Sequence, residues 1–343
     1  MAVDYAIVGA GMAGLVAARG LVDAGKSVRV LEKSRGLGGR MATRRIGEQH
    51  LDHGVCYLSA KDSDFQSWID YLVDRQLLRP WGNPLHQPDL TPESSPKTRY
   101  VAPDGITALA KDLAQGVTVQ TQSLVKAIQP IAGGWQITSE SSEFGDRVCD
   151  AKSVILANPA PQAAALLQGL QDQNILEPEL LQKVESVQYL PCITAIAVYS
   201  AEARSQLDQL GIQGIQFLPD DPIFGWIGIE HTKQRNPTQG LLILQGSQLF
   251  IQEHFESPDL MAVGQKLCDR ARELFQIPIV SQPEKLQVHR WKYAFPIQFL
   301  PQPYLVAHQT PHPLYCIGDW CGGNRLESAF LSGGALVQSL LHN

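Results

Sequence analysis

The spacing of apolar positions changes early in this chain. Val3–Val8 is a short, nearly continuous apolar run, as expected for a strand buried on both faces. Past Gly9 the period lengthens, and Ala13, Val16, Ala17 and Leu21 recur at helical intervals, which predicts a helix over Met12–Ala24. Gly25 supplies the left-handed residue that ends such a helix. Ser27–Leu31 reads as a second strand, and a helix between two strands predicts parallel pairing with a right-handed crossover.

Farther along, Phe65, Trp68, Ile69, Leu72 and Val73 mark an amphipathic helix over Asp62–Gln76. Asn83–Lys97, rich in Pro, Ser and Asp, is a predicted loop and boundary, and Gly105–Gln115 a short helix. The period then shortens to that of strands in Val117–Thr121, Leu124–Ile131 and Trp135–Ser139, with Gly133-Gly134 as the hairpin turn. Ser153–Asn158 is a buried strand of the parallel type. Cys192–Ser200, Ile223–Ile229 and Leu241–Gly246 predict a separate antiparallel sheet. Pro258–Phe275 reads as a helix, Leu286–Trp291 as a strand, Leu314–Gly318 as a last core strand and Ser328–Leu341 as a closing helix. The first and last segments suit one unit, so the middle of the chain is read as inserted and the domains as interleaved.

Composition narrows the classes. The chain has 343 residues, 44% hydrophobic and 18% charged, with formal net charge −6, which suits a globular protein with a sizeable core and no basic stripe for nucleic acid. No apolar run reaches the roughly 18 residues that span a bilayer. The start lacks the basic, apolar and small-residue order of a secretion signal, so a cytoplasmic location is expected. Cys56, Cys149, Cys192, Cys268, Cys316 and Cys321 form no CxxC pair and have no zinc-like spacing, so buried reduced thiols and no metal are expected.

Three motifs carry chemistry. Gly9-Ala10-Gly11-Met12-Ala13-Gly14 fits G-x-G-x-x-G between a predicted strand and helix, so a diphosphate would rest on the N–H groups at the helix start. Glu32, at the end of the second strand, can accept hydrogen bonds from ribose hydroxyls and would repel a 2′-phosphate. The second motif, Arg35-Gly36-Leu37-Gly38-Gly39-Arg40, adds a glycine turn that a plain NAD site has no need for, and Arg40 can pair with a phosphate oxygen. The cofactor expected is therefore the longer dinucleotide FAD. In the third, a strand runs into Gly318-Asp319, and Arg325, Leu326, Glu327 and Ala329 open the last helix. Asp319 suits the ribityl hydroxyls, and the helix dipole would favour the negative charge of a reduced flavin.

Together these motifs resemble the flavin amine oxidase superfamily, with its p-hydroxybenzoate hydroxylase-like FAD fold, and within it the renalase family. Segments Arg40–Arg45, Asp52–Tyr57, Leu156–Ala163, His289–Ala294 and Gly318–Gly333 carry the likeness. The family's usual Gln is Cys56 here, and Trp226–Lys233 departs from its bacterial form. The resemblance implies an α/β fold. In it an FAD-binding Rossmann-like domain with a parallel sheet and β-meander (1–60, 99–160, 310–343) interleaves with a substrate domain on a mixed or antiparallel sheet with helices (61–98, 161–309). It also implies FAD contacts at Lys33, His53, Gly54, Val55, Val125 and Asn158, and non-covalent binding.

Renalase-like activity implies oxidation of 2- or 6-dihydroNAD(P) to NAD(P)+ with O2 reduced to H2O2. Such a substrate is already a hydride donor, so placement of its ring is the main task. Tyr57, Trp226, His231, Trp291 and Tyr293 are candidate pocket residues, aromatic walls above all. Arg290 and Lys292 alternate with Trp291 and Tyr293 on a strand and are expected to face away. The flavin-linked lysine of amine oxidases has its nearest counterpart in Lys292. The FAD motifs equally suit an amine oxidase or a desaturase of the same superfamily; a non-enzymatic flavin binder is the less expected alternative, since no extra interaction segment is visible.

Overall fold

β1 (Val3–Val8), α1 (Met12–Asp23) and β2 (Val28–Leu31) form the parallel unit expected, with Tyr5 opposite Val28 and Val8 opposite Leu31. Gly25 sits at φ +75°, which lets the Lys26 N–H reach back to the Leu21 carbonyl at 3.0 Å and close the helix. This computed structural model describes residues 2–82, 85–94, 97–141, 143, 145–234, 237–309 and 311–342. Asn83, Pro84, Ser95 and Pro96 of the expected loop lie outside the described residues, as does Met1.

A polar hairpin follows, β3 (Thr43–Ile46) and β4 (Gln49–Asp52), turning at Gly47. Asp62 caps α2 (Ser63–Asp74) by accepting from the Asp64 N–H. Short strands β5 (Arg79–Pro80) and β6 (Tyr100–Val101) pair ahead of α3 (Thr107–Leu113) and β7 (Thr118–Gln120). The meander is β8 (Leu124–Ile131), β9 (Gly134–Glu140) and β10 (Arg147–Leu156). After α4 (Ala160–Gln171) and α5 (Pro178–Glu185) come β11 (Gln188–Tyr199), α6 (Ala201–Asp208), β12 (Gly214–Gln216) and β13 (Phe224–Ile229). A 3-10 turn at Glu230–Lys233 leads to β14 (Gly240–Gly246), α7 (Gln248–His254), α8 (Leu260–Phe275) and β15 (Lys285–Gln298). β16 (Leu305–His308), β17 (Leu314–Cys316) and α9 (Leu326–His342) return to the first sheet.

That sheet runs β16-β17-β10-β1-β2-β7, with β8 and β9 attached through β10. β10 does double duty. Its end, Ala151–Leu156, pairs parallel with β1, and its start, Arg147–Ala151, pairs antiparallel with β9. Ile7 faces the helices α1, α2 and α9, whereas Ala6 and Val8 face the side of α4, α5 and the meander, as the two-residue period of a doubly covered strand requires. The second sheet, β12-β13-β14-β11-β15, is antiparallel. Every position of β14 is buried, and α8 packs Val263, Leu267, Cys268 and Ala271 against that sheet. All six cysteines are free and buried, and among the described residues no helix is long and apolar enough to cross a membrane.

Two segments sit apart from the expected division. Phe65, Ile69 and Leu72 of α2 pack in the core of α1 and β1, although 61–98 was read as part of the second unit. β16 pairs with β17, so the return to the first sheet precedes residue 310. Both follow from apolar faces that find partners far away in sequence. Helices α4, α5, α6 and α7 and the β3–β4 hairpin are further elements that periodicity did not predict. The hairpin is too polar, and α4 too rich in alanine, to show a face.

Candidate active site

The two glycine turns read from the sequence are one structure. Gly11 and Gly38 form a parallel bridge, the Gly38 N–H donates to the Ala10 carbonyl at 2.8 Å, and a Cβ on Gly39 would lie 3.5 Å from the Gly11 Cα. Gly9 takes φ +108° with the Ala157 backbone 3.2 Å from its Cβ position, so only glycine fits that turn. Nothing lies within 4 Å of a Cβ on Gly11, so that face of the backbone is open. The Glu32 carboxylate accepts from the Ala10 N–H and the Ser34 N–H, both at 2.8 Å, which locks it beside the turn.

These turns open one end of a cavity of about 1650 Å³ between the two sheets. Of the cofactor residues expected, all but Gly14 and Arg35 line it. Gly14 is buried under the turn, where a Cβ would lie 2.1 Å from the Gly9 carbonyl oxygen. Arg35 is exposed and off the cavity wall, a correction to its expected role, because the turn directs backbone and not this side chain inward. Met12, Ala13, Lys33, Val125 and Asn158 are among the residues that line the cavity.

Arg40 differs from its expected role. Its two terminal nitrogens bind the Asp319 carboxylate at 2.5 and 2.7 Å, and Nη1 also donates to the Ala294 carbonyl at 2.9 Å. Burial alone would lower the guanidinium's pKa, but Asp319 outweighs it and holds Arg40 above its usual range. Arg40 and Asp319, read as separate contacts to phosphate and ribityl, are therefore each other's partners. They tie the second glycine turn to Gly318 and the last helix. Glu327 at the start of α9 is likewise spent, accepting from the Lys61 and Asp62 N–H groups at 2.6 and 2.8 Å. Arg325 reaches the Ser59 hydroxyl at 3.4 Å, while Leu326 and Ala329 face the cavity.

At the far end the walls are aromatic. Tyr57 and Trp226 lie 5.4 Å apart between ring centroids, backed by Trp81. A Cβ on Gly214 would lie 2.5 Å, and one on Gly228 2.9 Å, from the Trp226 ring, so this cross-strand glycine pair is the bed on which the indole lies. Trp291 donates from Nε1 to the His53 carbonyl at 3.1 Å, and Tyr293 meets Tyr189 at 5.6 Å. Gly54 is pinned under Arg40, whose carbonyl oxygen would be 2.1 Å from a Cβ. Arg290 and Lys292 are exposed while Trp291 and Tyr293 are part-buried, yet all four border the cavity, so the two cations do not lie away from it in the manner that strand alternation predicts. Arg290 donates to the Phe255 carbonyl, and Lys292 Nζ lies 5.7 Å from the Tyr293 ring centre.

His231 is corrected. It is 1% exposed and off the cavity, with Nε2 3.0 Å from Asp208 Oδ1 and Nδ1 accepting from the Leu241 N–H. Its neighbours on the 3-10 turn were missed altogether. Lys233 Nζ lies 2.5 Å from Glu230 Oε1 and 3.9 Å from Asp52 Oδ2, and donates to the Cys56 carbonyl at 2.6 Å. Glu230 Oε2 accepts from the Asp52 N–H. Burial, then the Asp52 charge against the pull of Lys233, leaves Glu230 pushed up to about 7. The unusual Trp226–Lys233 segment thus holds the loop Asp52–Tyr57 from behind. Its only sequence signal was a Glu and a Lys three apart in an apolar region.

The cavity's charge is one-sided. Lys33, Arg40, Arg44, Lys126, Arg290, Lys292 and Arg325 line it, against Glu32, Asp319 and Glu327. Each of those carboxylates is already held, by backbone amides or by Arg40.

Residues 7–72 match the model of an NAD(P)-binding Rossmann-like domain, and residues 55–341 that of the flavin containing amine oxidoreductases. Over 69 residues the chain is 39% identical to a putrescine oxidase of Kocuria rosea, a stretch that covers 20% of this chain and only 14% of that relative. Its fold resembles that of wild-type putrescine oxidase bound to putrescine, with TM-score 0.70, 15% identity and full coverage of both chains. It equally resembles a protein provisionally named protoporphyrinogen oxidase from Exiguobacterium sp. 255-15, with TM-score 0.70, 13% identity and full coverage. At such identities the structural likeness is one of fold.

Proposed function

Since the chain belongs to the flavin containing amine oxidoreductase family and is an FAD-dependent oxidoreductase, we propose that it oxidises a dihydronicotinamide dinucleotide, as renalases do. The observation that carries this reading is the cavity: aromatic walls, a surplus of cations, and no unengaged carboxylate among the described residues. A cationic amine would find no counter-ion there, whereas an anionic dinucleotide would.

The residues present fit FAD. The open face of Gly11, the joined glycine turns and the amide-locked Glu32 suit its ADP half. Asn158 Oδ1 is buried on the cavity wall without a partner, as a group awaiting a polar ligand is. The volume exceeds the roughly 300–1,000 Å³ of a site for one small ligand, leaving room for a second beside the cofactor. Non-covalent binding is supported by the thiols: Cys316 and Cys321 lie off the cavity wall, and burial pushes both thiols on it up, Cys56 strongly and Cys192 to about 12. Bound FAD supplies a two-electron acceptor that O2 can re-oxidise, giving H2O2.

The protein's own part is placement. Trp291, held by the His53 carbonyl, and Tyr293 give flat surfaces for a nicotinamide ring, and Tyr57 and Trp226 also line the cavity. No proton has to be moved, because loss of hydride leaves an aromatic cation. The division we propose follows the expected boundaries, with α2 and β16 assigned to the FAD-binding domain and a cytoplasmic location kept.

Anaerobic mixing with 6-dihydroNAD, 2-dihydroNAD and putrescine tests the reading. Bleaching of the flavin band by a dihydronicotinamide and not by putrescine is expected. Bleaching by putrescine alone would overturn it and favour amine oxidation, the reading to which the putrescine oxidase relatives point. Leu218, Phe295 and Ile297, exposed on the cavity wall, favour an apolar substrate and hence desaturation as a lesser alternative.

A further inference from the structure

Arg44, on β3, lines the cavity part-buried, its side chain has no hydrogen-bond or ion-pair partner among the described residues, and its Nε is buried and unsatisfied. A guanidinium removed from water without a counter-charge is costly. Of the two acidic residues of the same hairpin, Glu48 is exposed at its turn and Asp52 is already spent on the Thr43 hydroxyl and the Ile106 N–H. Two imidazoles line the same cavity as Arg44, and the backbone N–H of His53 donates to the Ala42 carbonyl at 3.1 Å, which continues the hairpin pairing next to Arg44. His53 is 5% exposed, faces the cavity and has Nδ1 unpartnered, and its ring lies 5.2 Å from that of His289. Burial first, then His289 and Arg44, pulls His53 down to about 3, so the pair adds hydrogen-bonding atoms without repelling charge.

The setting gives this cluster a direction. His289, Trp291 and Tyr293 are alternate residues of β15 and share one face, spaced roughly 7 Å apart. His289 and Trp291 are 4.3 Å apart between ring centroids, and Trp291 is the surface assigned above to the nicotinamide. A group attached to a ring lying there would meet His289, His53 and Arg44 next.

We propose that Arg44, with His53 Nδ1 beside it, is an anion subsite that receives a phosphate of the substrate. The identity of the phosphate's carrier rests on the dihydronicotinamide reading; the existence of the subsite does not. The FAD-loaded enzyme is titrated with inorganic pyrophosphate while tryptophan fluorescence is followed, in wild type, Arg44→Lys and Arg44→Gln. Saturable quenching is expected in the first two and a roughly 10- to 100-fold weaker response in Arg44→Gln, the loss of a charge-assisted contact. Equal binding by all three, or none by wild type, would overturn the subsite whatever the activity proves to be.

Where a dihydronicotinamide is turned over, kcat/KM is compared for 6-dihydronicotinamide mononucleotide and its riboside. The preference for the phosphorylated form should fall about 10- to 100-fold in Arg44→Gln. An unchanged preference would mean that the site takes free phosphate and not the substrate's, against the proposal. Loss of FAD from Arg44→Gln during gel filtration would reassign the residue to the cofactor and also overturn it. The Arg44 side chain has no partner to lose, so Arg44→Gln should not lower the urea midpoint of the holoenzyme, and Arg44→Lys controls for folding.

Discussion

Lys233→Met should lower the unfolding free energy by about 3–5 kcal/mol, because it strips the cation from a buried cluster and leaves two carboxylates facing each other. Lys233, Glu230 and Asp52 are all buried, at 2%, 1% and 3% exposure, so solvent cannot take over the role of the ammonium. Methionine matches the length of the stem but cannot donate to the Cys56 carbonyl, so the loop carrying His53, Gly54 and Val55 should loosen too. Urea denaturation gives the energy, and a loss under 1 kcal/mol would show the cluster to be less dry than its geometry indicates.

The same cluster gives a pH signature. Glu230 in the folded protein is raised from 4.5 to about 7 by burial and the Asp52 charge. A raised carboxyl binds its proton more tightly folded than unfolded, so its contribution is full below about pH 4.5 and is lost as pH rises through about 7. Wild-type stability should therefore decline over that window relative to Glu230→Gln, which carries no titrating group. In Lys233→Met the decline should move to higher pH, because the cation that favours the ionised form is gone. Parallel wild-type and Glu230→Gln profiles would sink the assignment.

Gly14→Ala is the other large effect. Its Cβ would lie 2.1 Å from the Gly9 carbonyl oxygen and 3.1 Å from the Ala157 Cβ, so α1 must move off β1 and β10. The turn that aligns the Ala10 N–H with Glu32 opens as a result. FAD affinity should fall roughly a hundredfold or more, about 3 kcal/mol, with the urea midpoint falling too. Gly11→Ala is the contrast. Nothing lies within 4 Å of its Cβ, which projects into open space, so that variant should keep its midpoint and lose flavin alone. Flavin content after gel filtration and a fluorescence titration of FAD read both. Full yellow colour in Gly14→Ala would contradict the packing described.

Much of the nucleotide end was readable along the chain because its signals are local. Strand, glycine turn, helix and Glu32 occupy one short stretch, and each is set by spacing or by a conformation that glycine permits. The aromatic strand around Trp291 and Tyr293 was legible from its two-residue alternation, but that Arg290 and Lys292 border the cavity as well was not. The helices α4 to α7 were not. Alanine and glutamine make α4 helical without marking a face, and its burial comes from the meander packed above it.

The residue types needed for a dinucleotide cradle, and the order of strands and helices that builds it, are properties of neighbouring positions and were present in the linear chain. Partnerships across hundreds of residues were not. Arg40 and Asp319 each look like a ligand contact until folding brings them together and they neutralise one another. His231 looks like a pocket residue until Asp208 and the Leu241 amide claim both its nitrogens, while Arg44 gains its meaning because no such partner arrives. An ionisable side chain takes its role from the charges and water around it, and those are set by which distant segments pack beside it.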